Sequence, residues 1–305
     1  VVEGPPEAQS EEHPGPPSLI AIGSGAGSPG RSTTAVNLAA ALGAVQPTVV
    51  VDLDLAAPSL AAMLDADPTR NLYMVAHAEP DAPWEWDRAV ESEVQPIDRS
   101  RSPYGYVLCG VPKPDMSGHI TARFVERLLI CLQRRYRYVV LDTGAELLGS
   151  EGAVHRAALG LSQQILLVCS ADLVGMMRAR TSLGLLESHL HISGSRVALV
   201  VNRHDPRFHH GRTEIEWALK ASTACLIPYD HLSIERALAT QRPAVLLRRG
   251  AAGRALLDLA ERLHGGKLVL PPEPGAAKGR AGLRLPSVPW PKRGERQSPT
   301  RESVA

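Results

Sequence analysis

Seven short apolar runs recur along the chain, at residues 19–23, 48–53, 106–109, 138–142, 164–170, 196–202 and 224–227. Apolar side chains fill consecutive positions in them instead of alternating. That pattern belongs to parallel strands covered on both faces. Amphipathic stretches separate them and predict helices over 32–42, 120–135, 174–190, 214–221, 234–240 and 253–263. Strand–helix alternation implies right-handed βαβ units. The expected fold class is therefore α/β, a doubly wound, mostly parallel sheet with helices on both faces. The stretch 65–103, which carries Trp84 and Trp86, has no clean period. Helical excursions over the sheet are expected there. No internal repeat is present.

Composition narrows this picture. The chain has 305 residues, 44% hydrophobic but only 4% aromatic, so its core must be Leu, Val, Ile and Ala. The net charge of +1 gives no global field that would favour nucleic acid. Cys109, Cys131, Cys169 and Cys225 are widely spaced, without a CxxC pair. They read as buried, reduced thiols of a cytoplasmic protein. No apolar run reaches the roughly 18 residues of a membrane span. Residues 1–17 are acidic and Pro-rich, and 269–305 are basic and Pro-rich. Both are expected to be disordered around one domain at 18–268. Pro286, Pro289 and Pro291 break any continuous amphipathic helix in the tail. The pairs His189/His191 and His209/His210 lack the further ligands that a metal site needs, and read as surface histidines.

The chemistry concentrates where the first run ends. From Gly25 the spacing is Gly25-x-x-x-x-Gly30-Arg31-Ser32, a Walker A pattern with Arg in place of Lys. Glycines let backbone N–H groups curl around phosphate oxygens. The following helix points its positive end at them. Ser32 offers a hydroxyl to Mg²⁺, Thr33 reaches a phosphate, and Arg31 places a cation on the terminal phosphates. The same residues spell Gly25-x-Gly27-x-x-Gly30, a dinucleotide fingerprint, with Asp52 or Asp54 about twenty residues on. Three features oppose that reading: Pro29 and Arg31 at the helix start, the run Ser32-Thr33-Thr34, and a second acid, Asp142, closing another strand. A glycine-rich turn that binds nothing is the third possibility.

These residues resemble the MinD/ParA family of P-loop ATPases, and more loosely its CpaE/TadZ-like pilus-assembly branch. The resemblance covers about residues 18–265 in collinear order. Residues 30–42 are similar to the family's phosphate loop and first helix. Residues 49–54 are similar to its switch strand, whose acids, here Asp52 and Asp54, orient the attacking water and Mg²⁺. Residues 138–144 are similar to its Walker B strand, with Asp142 toward Mg²⁺. Asn202 stands where the family meets the adenine edge, and Pro228 in the loop beside the base. Residues 241–243 resemble a turn before the last strand. The resemblance thus implies ATP and Mg²⁺ as ligands. It also implies a homodimer, and a protein partner in a positioning, secretion or pilus system.

The chain departs from the family at the loop. One family lysine falls at Ala26, the other at Arg31, and Ser28 replaces a usual glycine. Arg is a planar fork and not a compact ammonium, and phosphoryl transfer depends on charge placed at the γ-phosphate. The expected function is an ATP-binding switch with weak or absent hydrolysis. The alternatives are a nucleotide-independent scaffold and an NAD(P)-binding enzyme. A cytoplasmic location is expected, with the inner membrane face and DNA as surfaces the sequence does not support.

Overall fold

The computed structural model describes residues 18–272, apart from 28, 79, 80, 151, 248 and 249. The expected N-terminal segment 1–17, the tail from 273 and Ser28 lie outside the described residues. The strands are β1 (Leu19–Ser24), β2 (Thr48–Leu53), β3 (Gln95–Asp98), β4 (Ser102–Leu108), β5 (Tyr138–Thr143), β6 (Gln164–Ser170), β7 (Val197–His204) and β8 (Thr223–Pro228). They form one sheet of order β3-β4-β2-β5-β1-β6-β7-β8. Every pairing is parallel except β3 with β4. The helices are α1 (Arg31–Leu42), α2 (Leu60–Leu64), α3 (Leu72–His77), α4 (Pro83–Glu93), α5 (Ala122–Arg135), α6 (Ala153–Leu161), α7 (Leu173–Ser188), α8 (Arg212–Leu219), α9 (His231–Ala239) and α10 (Ala251–His264).

Consecutive apolar residues are needed because each strand feeds two cores. Leu19 and Ala21 of β1 join the cluster that holds Leu128 and Leu132 of α5. Ile20 and Ile22 join the opposite one, with Leu38 of α1 and Leu256 of α10. Helix α1 is mostly small apolar residues beyond its first turn and is buried from Thr34 to Leu42, as a helix clamped between a sheet and another helix must be. Its small side chains bring it close to its neighbours. At Gly43, just past its end, a Cβ would stand 2.4 Å from the Gly105 Cα. All four cysteines are buried and unbridged. Burial pushes the Cys109, Cys131 and Cys169 thiols up to about 12 and Cys225 to about 11.

Three differences from the sequence expectation have physical causes. Within 65–103 the helices are present, but the stretch ends in an edge hairpin, β3–β4. Pro96 is tolerated there because an edge strand leaves one side of its backbone unpaired. Helix α6 was not expected. Finally, no strand follows the turn at 241–243. Ala244–Leu247 forms a 3₁₀ turn, in which Val245 donates its N–H to Asn37 Oδ1 (2.8 Å). Among the described residues, no helix is long and apolar enough to cross a membrane.

Candidate nucleotide-binding site

All the carboxyl ends of the parallel strands open onto one edge of the sheet. The residues singled out in the sequence meet there, carried by different strands. The loop after β1 holds Gly25, Gly27 and Gly30. Asp142 lies in β5, paired in register with Ile22 on one side and Asp52 on the other. Asp54 follows β2, Asn202 lies in β7 in register with Ser170, and Pro228 ends β8. This is the crevice where open α/β sheets bind ligands. The order also counts against a dinucleotide site. There β1 and β2 are neighbours, whereas here β5 stands between them.

The loop needs its glycines. Gly27 has φ +100° and Gly30 φ +103°, a region that L side chains rarely adopt. Gly30 also lacks room: a Cβ would approach Asn202 Nδ2 to 2.3 Å. That amide nitrogen donates to the Pro29 carbonyl at 2.7 Å, while Asn202 Oδ1 accepts from the Arg203 N–H at 2.9 Å. Both ends of the amide are thus engaged within the protein, holding the loop. Gly30 caps α1 without a side-chain hydrogen bond. The helix N–H groups behind it therefore face the loop.

Arg31 begins α1 and turns across the mouth of the site. Its Nη1 donates to Ser24 Oγ (2.7 Å) and its Nη2 to Asp54 Oδ2 (2.6 Å). Only about a tenth of either side chain in this ion pair is exposed. Arg31 Nε is buried with no partner among the described residues. Asp54 Oδ1 accepts from Ala57 N–H (3.2 Å). Asp52 is fully committed: Oδ1 accepts from Asp54 N–H (3.2 Å), and Oδ2 from Ser59 and Leu60 N–H (2.8 and 3.0 Å). It ties down the segment after β2.

Asp142 is the opposite case. It is wholly buried, and neither oxygen has a hydrogen-bond partner among the described residues. The Ser32 hydroxyl is near enough to favour its anion but makes no hydrogen bond of good geometry with it. Burial, and then the charge of Asp52, hold the Asp142 carboxyl well above the usual range. Burial raises Asp52 too, against the N–H donors of Leu60 and Ser59. A recess of about 110 Å³ lies on the other side of Gly30, lined by Thr33, Asn202, Pro228 and Tyr229.

The residues fit a magnesium nucleotide. The loop glycines open a backbone cradle, and the buried Asp142 carboxyl lacks a hydrogen-bond partner although a serine hydroxyl is near. A buried guanidinium N–H lacks an acceptor. Leaving such groups unpaired costs about 1–3 kcal/mol each. Among the described residues, no group of three or more His, Cys, Asp or Glu could hold a metal ion alone. A Mg²⁺ carried by phosphates needs only one or two protein ligands.

Two residues that the sequence did not reveal touch this site. Arg178 of α7 donates from Nη1 to the Ala26 carbonyl (3.2 Å). His155 of α6 is buried, with Nδ1 at 2.7 Å from the Glu146 carbonyl and Nε2 at 3.1 Å from the Leu53 carbonyl. It links the ends of β2 and β5. His155 interrupts the apolar pattern of 153–161, so neither the helix nor the residue stood out. Arg178 had no local signal.

No protein-family model matches the sequence, and no curated protein matches it. Solved structures do. The cell division ATPase MinD of Pyrococcus furiosus is 22% identical, with a TM-score of 0.66 over 81% of this chain and 98% of that one. A ParA family ATPase from Chlorobium tepidum is 21% identical, with a TM-score of 0.67 over 80% and 98%. The septum site-determining protein MinD of Pyrococcus horikoshii, complexed with Mg-ADP, is 19% identical, with a TM-score of 0.63 over 81% and 95%. Sheet order, the loop after β1 and these likenesses agree: the chain has the fold of the MinD and ParA ATPases.

Proposed function

We propose that this protein is an ATP-binding switch of the MinD/ParA type with weak or absent hydrolysis. It would act in spatial positioning or assembly, of a chromosome, a septum, or a pilus or secretion apparatus. One observation supports this most: two buried ionisable groups, the Asp142 carboxyl and the Arg31 guanidinium, keep unsatisfied atoms beside a glycine loop that opens at a helix N-terminus. Asp142 and Ser32 would hold Mg²⁺, and the loop amides with Arg31 and Thr33 would hold the phosphates. The base would enter the recess by Pro228. Bound Mg²⁺ supplies charge that stabilises the transferring phosphoryl group.

The weak-hydrolysis part rests on Arg31 and Asp54. Asp52 spends both oxygens on backbone N–H groups, which leaves Asp54 as the acid able to orient water. Asp54 is bound to Arg31. A phosphate that takes Arg31 would free the Asp54 carboxylate to move, while Asp52 keeps its hold on Ser59 and Leu60. That exchange is a switch: ligand binding and the position of Asp54 are linked through one guanidinium. A homodimer and a protein partner belong to the same proposal, by likeness of fold. A Mg-ATP turnover assay tests it: slow turnover with measurable ATP binding is expected, and a robust rate that is lost in Asp54→Ala refutes the weak-hydrolysis part.

The Arg31–Asp54 pair also favours a second reading, a scaffold that needs no nucleotide, because an internal cation–carboxylate pair fills the phosphate position by itself. Lack of ATP affinity in both wild type and Asp54→Ala would select it.

A further inference from the structure

The switch leaves a physical problem. Arg31, the cation of the loop, is committed to Ser24 and Asp54 in the ligand-free protein. Three of its five N–H donors, Nε among them, stay open, but the other two hold the guanidinium in place. A triphosphate carries more negative charge than Arg31 and a phosphate-borne Mg²⁺ together neutralise. A second cation at the loop is needed, and the loop contains no lysine.

Helix α7 brings one. Arg178 Nη1 donates to the Ala26 carbonyl. The same nitrogen lies 2.7 Å from where a Gly27 Cβ would stand, and Gly27 holds φ +100°. On the helix side, a Cβ at Gly25 would meet the Arg178 Cβ and carbonyl at 3.1 Å and Ser182 Oγ at 3.0 Å. Two loop glycines are therefore fitted to this one arginine, and its guanidinium rests on the outer lip of the loop. Its single hydrogen bond goes to a neutral carbonyl, and it makes no ion pair among the described residues. Four of its N–H donors remain for a ligand.

Position sets what that ligand would be. Arg178 lines a cavity of about 130 Å³ with Gly25, Ala26, Pro29, Ser170 and Arg203. The base recess lies on the other side of Pro29 and Asn202 and does not include Arg178. Arg203 lines both cavities. It has φ +59°, a conformation uncommon for arginine. A phosphate chain that enters from the base recess at Gly30 and follows the loop back to Gly25 would come nearer to Arg178 as it lengthens. The lip cation thus feels a third phosphate more than a second. Its planar fork suits a phosphate's oxygens.

We propose that Arg178 is a specificity-determining residue of the nucleotide site, a cation lent by α7 that makes it prefer nucleoside triphosphates to diphosphates. The inference rests on the nucleotide reading above and names a residue that reading does not require. It also gives α7 a means of reporting the ligand, since a third phosphate would draw Arg178 off the Ala26 carbonyl.

Calorimetric titration of the full chain with Mg-ATP and Mg-ADP tests it, on wild type, Arg178→Ala, Arg178→Lys and the double variant Arg178→Ala/Ala26→Lys. Loss of one charge-assisted contact predicts about a tenfold weaker ATP affinity in Arg178→Ala, with ADP affinity changed by less than about threefold. Arg178→Lys keeps part of the preference. The double variant recovers it, since a lysine at 26 returns a cation to the same lip. Equal losses for ATP and ADP would mean that Arg178 only braces the loop, and unchanged affinities that it does nothing there. Either result overturns this inference and leaves nucleotide binding standing. Binding of neither nucleotide by the wild type overturns both. Arg178 is exposed, so the variants are expected to fold, and unchanged thermal unfolding without ligand verifies this.

Discussion

Arg31 Nη2 lies 2.6 Å from Asp54 Oδ2, a nearly buried ion pair that joins the start of α1 to the end of β2 across the phosphate loop. Each partner is one that a nucleotide site would use, and here each satisfies the other. Breaking a buried pair by deleting one member leaves the survivor uncompensated, at about 3 kcal/mol. Asp54→Ala is therefore expected to lower the stability of the ligand-free protein by about that amount. It should also tighten ATP binding by about tenfold, because a competitor for Arg31 is gone. Denaturant unfolding and calorimetry read the two effects. Weaker ATP binding in Asp54→Ala would show that the pair supports the site and does not compete with it.

Arg31→Lys separates charge from shape. A lysine ammonium cannot span Ser24 and Asp54 as the guanidinium fork does. Asp54 should then be freer and turnover should rise, by about tenfold or more if placement of this cation limits the chemical step. A phosphate-release assay with excess Mg-ATP measures it. An unchanged or lower rate would assign the slow step elsewhere.

Asp142 predicts how stability depends on pH. Its folded-state carboxyl is raised from 3.8 to about 8 and that of Asp52 from 3.8 to about 6, both chiefly by burial. The folded protein thus binds more protons than the unfolded chain across this interval, so its stability falls as pH rises from 3.8 to about 8. Asp98 and Asp230 are shifted down from 3.8, so their opposite contribution lies at lower pH. Asp142→Asn should flatten the decline, raise stability at pH 8 and remove the effect of Mg²⁺ on nucleotide affinity. Urea titrations from pH 5 to pH 8 check this. A wild-type stability that rises over this range would contradict it.

Gly30→Ala tests the cradle. The left-handed backbone costs about 1–2 kcal/mol for alanine, and the new Cβ would strike Asn202 Nδ2. The amide must leave the Pro29 carbonyl, which frees the loop. A loss of at least about 2 kcal/mol and of detectable ATP affinity is expected. Wild-type affinity in Gly30→Ala would mean that the loop does not hold phosphate.

Much of this was readable in the chain because it is local. Runs such as Tyr138–Thr143, packed on both faces, must be apolar at every position, and Gly30-Arg31-Ser32 is a contiguous signal. The meeting of Asp52, Asp142 and Asn202 at one edge followed from strand ends and the right-handed crossover. What stayed hidden was relational. Arg178 is one of two exposed arginines on α7, and only the packing of that helix against Gly25 and Gly27 shows its reach. The commitment of Asp52 to the N–H groups of Ser59 and Leu60 leaves no trace in spacing. His155 interrupted the apolar pattern of α6 and concealed the helix. The strand that the resemblance implies after Pro243 is instead a 3₁₀ turn, whose Val245 N–H goes to Asn37, over two hundred positions earlier.

The central claim is that this fold still binds a magnesium nucleotide through the loop after β1. Its most direct test is calorimetric titration of Mg-ATP into the wild-type chain, with NADH titrated in parallel. Saturable 1:1 binding of ATP per chain, lost in Gly30→Ala and absent for NADH, is the predicted result. No heat of binding for ATP, or saturable binding of NADH in its place, would contradict the account.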